Sequence, residues 1–206
     1  MRRVPAETLL LGTVLLWSFN FTAIRYGLTN GFEPLAFAPL RWVLAGATLT
    51  ALALWRGHSL RVGRRDLMFL AGAATIGIVL NQIAFAHSVR LISASTVALI
   101  FGTLPIFISL IAHLSGTERL QARHWLATGI SFSGVALVAV GASGGLSANI
   151  SGIGLALFAT SSFALFCVIL VPLMRRHSPL AVNAITGIMG AIGLCVVSST
   201  ALAGHD

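Results

Sequence analysis

Residues 67–89, LMFLAGAATIGIVLNQIAFAHSV, and residues 94–114, ASTVALIFGTLPIFISLIAHL, are two long apolar stretches that follow each other directly. An α-helix rises about 1.5 Å per residue, so each stretch is long enough to cross a hydrocarbon core of roughly 30 Å. Arg90, which lies between the stretches, is the one residue in residues 67–114 with a permanent charge. The two stretches therefore predict a pair of transmembrane helices joined by a short turn.

The same pattern recurs along the whole chain. The approximate limits of the seven predicted spans are 8–28, 34–55, 67–89, 94–114, 124–141, 152–174 and 180–202. Only 9% of the 206 residues are charged, whereas a soluble domain has about 25%, and the mean hydropathy is +0.94. The predicted fold class is therefore an all-α integral membrane protein of about seven helices, with the lipid bilayer as its main surroundings.

The distribution of arginine predicts the orientation. The net charge of +8 comes from arginine alone, because the chain has no lysine, and a retinal protein is excluded because its Schiff base requires lysine. One set of span ends holds Arg2, Arg3, Arg56, Arg61, Arg64, Arg65, Arg119, Arg123, Arg175 and Arg176. The opposite set holds only Arg90. Because basic residues stay cytoplasmic, the N-terminus is predicted inside the plasma or inner membrane and the C-terminus outside.

An internal repeat divides the chain. Pro34 and Pro179 each follow a short loop, and they are separated by about 145 residues that contain five predicted spans. An odd number of spans between the copies makes the repeat inverted, as in many transporters. We therefore expect a complete five-helix repeat at 1–145 and the first two helices of a second repeat at 146–206. Chance similarity between apolar helices is the alternative.

Polar side chains inside the spans are the candidate functional residues, because they are costly in lipid. The predicted topology places Asn20, Arg41, Asn81 and Gln82 in one layer of the outer half of the membrane, on three helices. Trp17 lies near the middle of the first span, where it suits a cavity wall. These five residues are the predicted substrate-binding set, and the spans hold no carboxylate. No catalytic residue, metal site or cofactor is predicted.

Each candidate has a structural alternative. Arg41 could extend to the outer headgroups or pair with Glu33. Asn81 and Gln82 could simply join neighbouring helices, and Trp17 could face lipid or pack in the bundle. Pro105, in the middle of the fourth span, removes a backbone hydrogen bond and predicts a bend there.

Several segments together resemble the drug/metabolite transporter superfamily, EamA type. They are WSFNFTAIRYGL at 17–28, EPLAFAPLRWVLAG at 33–46, AFAHSVRLISASTVALIFGTLPIFISLIAHLSGTERL at 84–120 and WLATGISFSGVALVAVG at 125–141. The combination of LRWVLA, Pro105 and the loop GTERL carries most of the resemblance. The resemblance implies ten helices in two inverted five-helix repeats around a central cavity, and export of amino acids, metabolites or toxic solutes.

The expected function is therefore that of a secondary transporter that works by alternating access on a small solute, for example one with a carboxylate. By this comparison the second repeat lacks about three helices. The alternative is a truncated, non-transporting fragment or an assembly partner, which would function as a homo-oligomer or with a complementing chain. Nucleic-acid binding is not expected, because the arginines lie in short loops between apolar spans. An intramembrane protease is also disfavoured, because no nucleophile motif accompanies His87 or His113.

Overall fold

The computed structural model describes residues 8, 11, 12, 15 and 19, and the ranges 34–116, 121–141 and 149–203. Every regular element in these residues is a helix, which confirms the all-α fold. In chain order the helices are α1 Pro34–Trp55, α2 Arg64–Leu91, α3 Ala94–Phe101, α4 Leu104–Leu114, α5 Ala122–Gly141, α6 Ile150–Arg176 and α7 Pro179–Ala203.

Five stretches of the described helices are long and apolar enough to cross a membrane. They are Ala38–Trp55, Arg64–Leu91, Thr96–Leu114, Ile150–Arg176 and Pro179–Ser199. They correspond to predicted spans two, three, four, six and seven. Helix α5, with 20 residues, covers the predicted fifth span, and the first span lies almost entirely outside the described residues. The fold class is therefore confirmed, and the total of seven spans stays a prediction.

The helix ends follow from local sequence. Ser93 caps α3 by accepting a hydrogen bond from the backbone N–H of Thr96 at 3.3 Å, and Asn149 caps α6 through the N–H of Gly152 at 2.9 Å. Both side chains satisfy donors that a helix start leaves without an intrahelical partner. Pro179 opens α7, where its fixed φ suits the first turn.

The predicted fourth span is two helices rather than one. Helix α3 ends at Phe101, and α4 begins at Leu104 with Pro105 in its first turn. The N–H of Thr103 bonds to the carbonyl of Ile100 at 3.0 Å, a tighter turn than an α-helix makes. Pro105 has no backbone N–H and cannot donate the hydrogen bond that would continue the helix through this point. The interruption therefore confirms the predicted effect of Pro105 on the span.

Helices α1 and α7 make one of the two most extensive contacts in the described bundle, and the other joins α2 to α6. Helices α1 and α7 cross at Gly46 and Gly187, where a Cβ added to Gly46 would lie 3.2 Å from the Gly187 carbonyl carbon. The absence of a side chain at both positions permits this close approach of two backbones in lipid.

Helix α6 runs through the centre of the bundle and packs against α2, α3 and α4. Ala156 and Thr160, one of the small-residue pairs in the sequence, are fully buried on it. Gly77 of α2 accommodates the ring of Phe166, with no space for a Cβ. The main core is formed by α1, α2, α6 and α7, and its largest fully buried members are Leu70, Ile78, Leu170, Val182 and Leu194.

Two contacts show that the helix ends alternate as predicted. Asp66, at the start of α2, bonds to His177, just after α6. At the opposite end, Gly152 near the start of α6 lies against Leu91 and Ile92 at the end of α2. The arginine-rich ends of α2 and α6 therefore lie on one side of the bundle. Which side is cytoplasmic remains a prediction, as does the division of the repeats at residue 145.

Candidate functional site

Arg41 and Gln82 join helices α1 and α2 directly. The Arg41 Nη2 group donates to the Gln82 side-chain oxygen at 3.0 Å, and both residues are partly buried. A hydrogen bond from a charged donor is roughly twice as strong as one between neutral groups. Because Gln82 is neutral, this bond orients the guanidinium and leaves its positive charge in place.

Asn81 extends this contact to helix α6. Its amide donates to the backbone carbonyl of Ala159 at 2.7 Å and accepts from the Gln82 amide at 3.3 Å. The Asn81 side chain is buried, with 4% of its surface exposed. Arg41, Gln82, Asn81 and the Ala159 carbonyl therefore form a continuous hydrogen-bond chain, which we call the polar chain, across α1, α2 and α6.

The members of the polar chain lie at similar depth. Arg41 is seven residues from the start of α1, or about 10 Å. Gln82 is nine residues from the end of α2 and Ala159 nine from the start of α6, or about 14 Å each. All three helix ends are on the same predicted face, so the predicted common layer of Arg41, Asn81 and Gln82 agrees with the geometry.

A π-helical segment positions the amides. Residues Thr75–Leu80 of α2 form a π-helix that ends immediately before Asn81. A π-segment inserts extra residues into a turn, and such segments are frequent at functional sites. The insertion rotates the rest of α2 relative to its first half, so that Asn81 is directed at α6 while Gln82 reaches α1. The apolar sequence TIGIVL gave no indication of this feature.

Trp42, next to Arg41, carries a buried donor. Its indole Nε1 is the one buried side-chain nitrogen or oxygen without a hydrogen-bond partner in the described part of the chain. A buried donor left unpaired costs roughly 1–3 kcal/mol, so it calls for an explanation such as a bound water or ligand. The sequence analysis did not single out Trp42 as a functional residue. Its position next to Arg41 within a predicted span could have indicated one.

A second polar contact lies at the opposite, arginine-rich end. His177 Nε2 and Asp66 Oδ2 are 2.8 Å apart, and their side chains are 25% and 19% exposed. The pair links the start of α2 to the loop between α6 and α7. The sequence did not predict this pair either, because 111 residues separate the two partners and both lie outside the apolar spans.

Two grooves open on the sides of the described bundle. One, of about 690 Å³, lies between α1 and α7 and is lined by apolar and small residues such as Ala47, Ala51 and Ile192. The other, of about 380 Å³, lies beside α2 and α6 and has Arg65 in its lining. Neither lining includes a residue of the polar chain.

The structure therefore brings together three of the five predicted binding residues, namely Arg41, Asn81 and Gln82. Trp17 and Asn20 lie outside the described residues. Of the other polar residues in the spans, His87 bonds to the carbonyl of Ile83 at 2.8 Å and Asn183 to that of Pro179 at 2.9 Å. Both bonds are within one helix, so neither residue joins the polar chain through them. The described residues contain no cluster of metal ligands.

The model of the EamA-like transporter family matches residues 4–140, about two thirds of the chain. An uncharacterized transporter of Archaeoglobus fulgidus is 25% identical over 182 residues, which cover 88% of this chain and 63% of that protein. The uncharacterized inner membrane transporter YedA of Escherichia coli is 29% identical over 167 residues, or 78% of this chain and 51% of YedA. The uncharacterized transporter YdfC of Bacillus subtilis is 27% identical over 172 residues, or 84% and 54%.

The chain thus spans between about half and two thirds of the length of these relatives. No solved structure is significantly similar to it. The family and the relatives are described as transporters, which points to a membrane transporter and not to an enzyme. With its apolar helices, this chain is a multi-pass membrane protein that belongs to the EamA-like transporter family.

Proposed function

We propose that this chain forms the substrate-binding part of a secondary transporter that exports small carboxylate-bearing solutes, such as amino acids or metabolites, by alternating access. The observation that carries the proposal is the polar chain from Arg41 through Gln82 and Asn81 to α6. It gathers the hydrogen-bonding groups of three helices at one depth. Trp17 and Asn20 of the predicted first span complete the proposed site.

The charge at Arg41 favours an anionic substrate. Its guanidinium is partly buried and lies in one layer with the side-chain amides of Gln82 and Asn81. A substrate carboxylate would bring a negative charge to this layer and accept two parallel hydrogen bonds from the guanidinium.

The proposed cycle uses both ends of the bundle. With the N-terminus cytoplasmic, the polar chain lies in the outer half of the membrane and the Asp66–His177 pair lies at the cytoplasmic end. A bundle that this pair closes at the cytoplasmic end, with the polar chain nearer to the outer face, is the arrangement expected of one state of an alternating-access carrier. The alternative is a non-transporting assembly partner, in which the same contacts only hold helices together.

The test is transport by the 206-residue chain in proteoliposomes, with labelled amino acids and organic acids as substrates and the corresponding amides, which lack the carboxylate, as controls. We expect flux of the carboxylates and little of the amides. Arg41→Lys and Arg41→Gln should each reduce that flux at least tenfold, because lysine cannot reproduce the paired hydrogen bonds. Arg123→Gln, which removes the same charge from the start of α5, should leave flux unchanged. Normal flux in Arg41→Lys would reject carboxylate binding by Arg41.

A second variant separates binding from anchoring. Gln82→Glu would place a carboxylate about where the amide oxygen now lies, 3.0 Å from Arg41. This internal anion should compete with the substrate and lower its apparent affinity by about 10- to 100-fold, while the fold is preserved. If Arg41 only anchors α1, transport should be insensitive to Gln82→Glu. Absence of any flux in the folded wild-type chain would instead favour the assembly-partner alternative.

A further inference from the structure

The groove beside α2 and α6 combines an apolar wall with a basic end. It has a volume of about 380 Å³, and its lining includes Met68, Phe69, Gly72, Ile76 and Ile169. Met68 and Phe69 are 69% and 54% exposed, so the groove is accessible from the lipid side. Arg65 is the one charged residue of the lining.

Positive charge is concentrated around this end of the groove. Arg64 and Arg65 occupy the first turn of α2, and Arg175 and Arg176 the last turn of α6. The bond between Asp66 and His177 holds these two helix ends together. The Arg65 guanidinium lies 6.0 Å from the centroid of the Phe69 ring, which places it beside the apolar wall. Four arginines and Asp66 therefore lie at these two joined helix ends, and Arg65 is the one of them that lines the groove.

We propose that this groove binds an anionic phospholipid, with one acyl chain along the apolar wall and the phosphate at Arg65 and its neighbours. Guanidinium groups match phosphate oxygens with paired hydrogen bonds, and basic pockets between transmembrane helices are known to bind acidic headgroups. The inference does not depend on transport.

Arg65 and Gly72 allow the headgroup and the acyl chain to be tested separately. Arg65→Gln removes one positive charge at the mouth of the groove. Gly72→Leu fills the groove, because a Cβ added at Gly72 meets open space rather than a neighbouring atom. Arg123→Gln is the control for charge, since Arg123 is exposed on α5, which packs on α3 and α4. Gly154→Leu is the control for size, since Gly154 on α6 also meets no neighbour.

The experiment is native mass spectrometry of the purified 206-residue chain, titrated with phosphatidylglycerol and with phosphatidylethanolamine of the same acyl chains. We expect the wild-type chain to retain phosphatidylglycerol preferentially. Arg65→Gln should reduce that preference about fivefold, since one basic residue near an anionic lipid contributes about 1 kcal/mol. Gly72→Leu should weaken retention of both lipids, and the two controls should match the wild-type chain.

Three results would overturn the proposal. They are equal retention of the two lipids by the wild-type chain, retention of neither lipid, and an equal loss of preference in Arg65→Gln and Arg123→Gln. The last would mean that the basic surface as a whole, and not this groove, attracts the lipid. If Gly72→Leu fails to give folded protein by circular dichroism, the comparison of Arg65→Gln with Arg123→Gln decides the question alone.

Discussion

Replacing Asn81 by alanine tests whether the polar chain stabilises the bundle. Asn81 makes one bond to α6 at 2.7 Å and one to Gln82 at 3.3 Å. An interhelical hydrogen bond in a membrane contributes about 0.6 kcal/mol on average and up to about 1.7 kcal/mol. The small void left by the shorter side chain adds a fraction of a kcal/mol at this buried position. We therefore expect Asn81→Ala to lower the free energy of unfolding by about 1–2 kcal/mol.

The assay is reversible unfolding by SDS in bicelles, followed by tryptophan fluorescence. Asn183→Ala is the matched control, because the Asn183 amide donates to the carbonyl of Pro179 within its own helix. That change should alter the free energy of unfolding by less than about 0.5 kcal/mol, as most substitutions at accessible positions do. Equal losses in the two variants would refute an interhelical role for Asn81.

Three further predictions concern helix packing, the unpaired N–H of Trp42 and the orientation in the membrane. Gly77→Ala should destabilise the bundle by about 1–3 kcal/mol in the same assay, because the new methyl group overlaps Phe166, whereas Gly129→Ala meets open space and should be neutral. Trp42→Phe should lower the free energy of unfolding by less than about 1 kcal/mol, because removal of the unpaired N–H offsets the loss of packing. A decrease above about 3 kcal/mol would show that the N–H has a hydrogen-bond partner. Reporter fusions in the basic loop before α2 and after Ser147 should report cytoplasmic and external positions respectively, and a cytoplasmic signal after Ser147 would reverse the orientation.

The depth of the polar residues could be predicted from sequence, whereas their partners could not. Span limits and a rise of about 1.5 Å per residue suffice to place Arg41, Asn81 and Gln82 in one layer. The direction of each side chain depends on helix rotation, which the π-helix in α2 changes without any signature in the apolar sequence. The acceptor for Asn81 is a backbone carbonyl on α6, and every residue has one, so no residue type marks it.

The positions and the ends of the helices could likewise be predicted from the sequence better than the contacts between them. Length, hydropathy and proline position set the ends of α1 and α7, because the bilayer thickness and the missing N–H of proline act locally. Small residues four positions apart do not mark an interface by themselves: Ala156 and Thr160 are fully buried, whereas Gly129 and Ser133 are exposed. Small size permits close approach in lipid but does not select a partner, so the pattern alone cannot identify the interface.

The hydrogen bonds of the polar chain have a strength compatible with the proposed alternating access. An alternating-access carrier needs two states within a few kcal/mol of each other, so that a substrate can shift their populations. Two contacts of the polar chain between helices, Arg41 to Gln82 and Asn81 to α6, contribute about 0.6 kcal/mol each at the average membrane value. The Asp66–His177 pair is partly exposed and adds at most about 1 kcal/mol. In the proposed cycle, a carboxylate that binds Arg41 would compete with contacts of this size and would thereby favour one state of the bundle over the other.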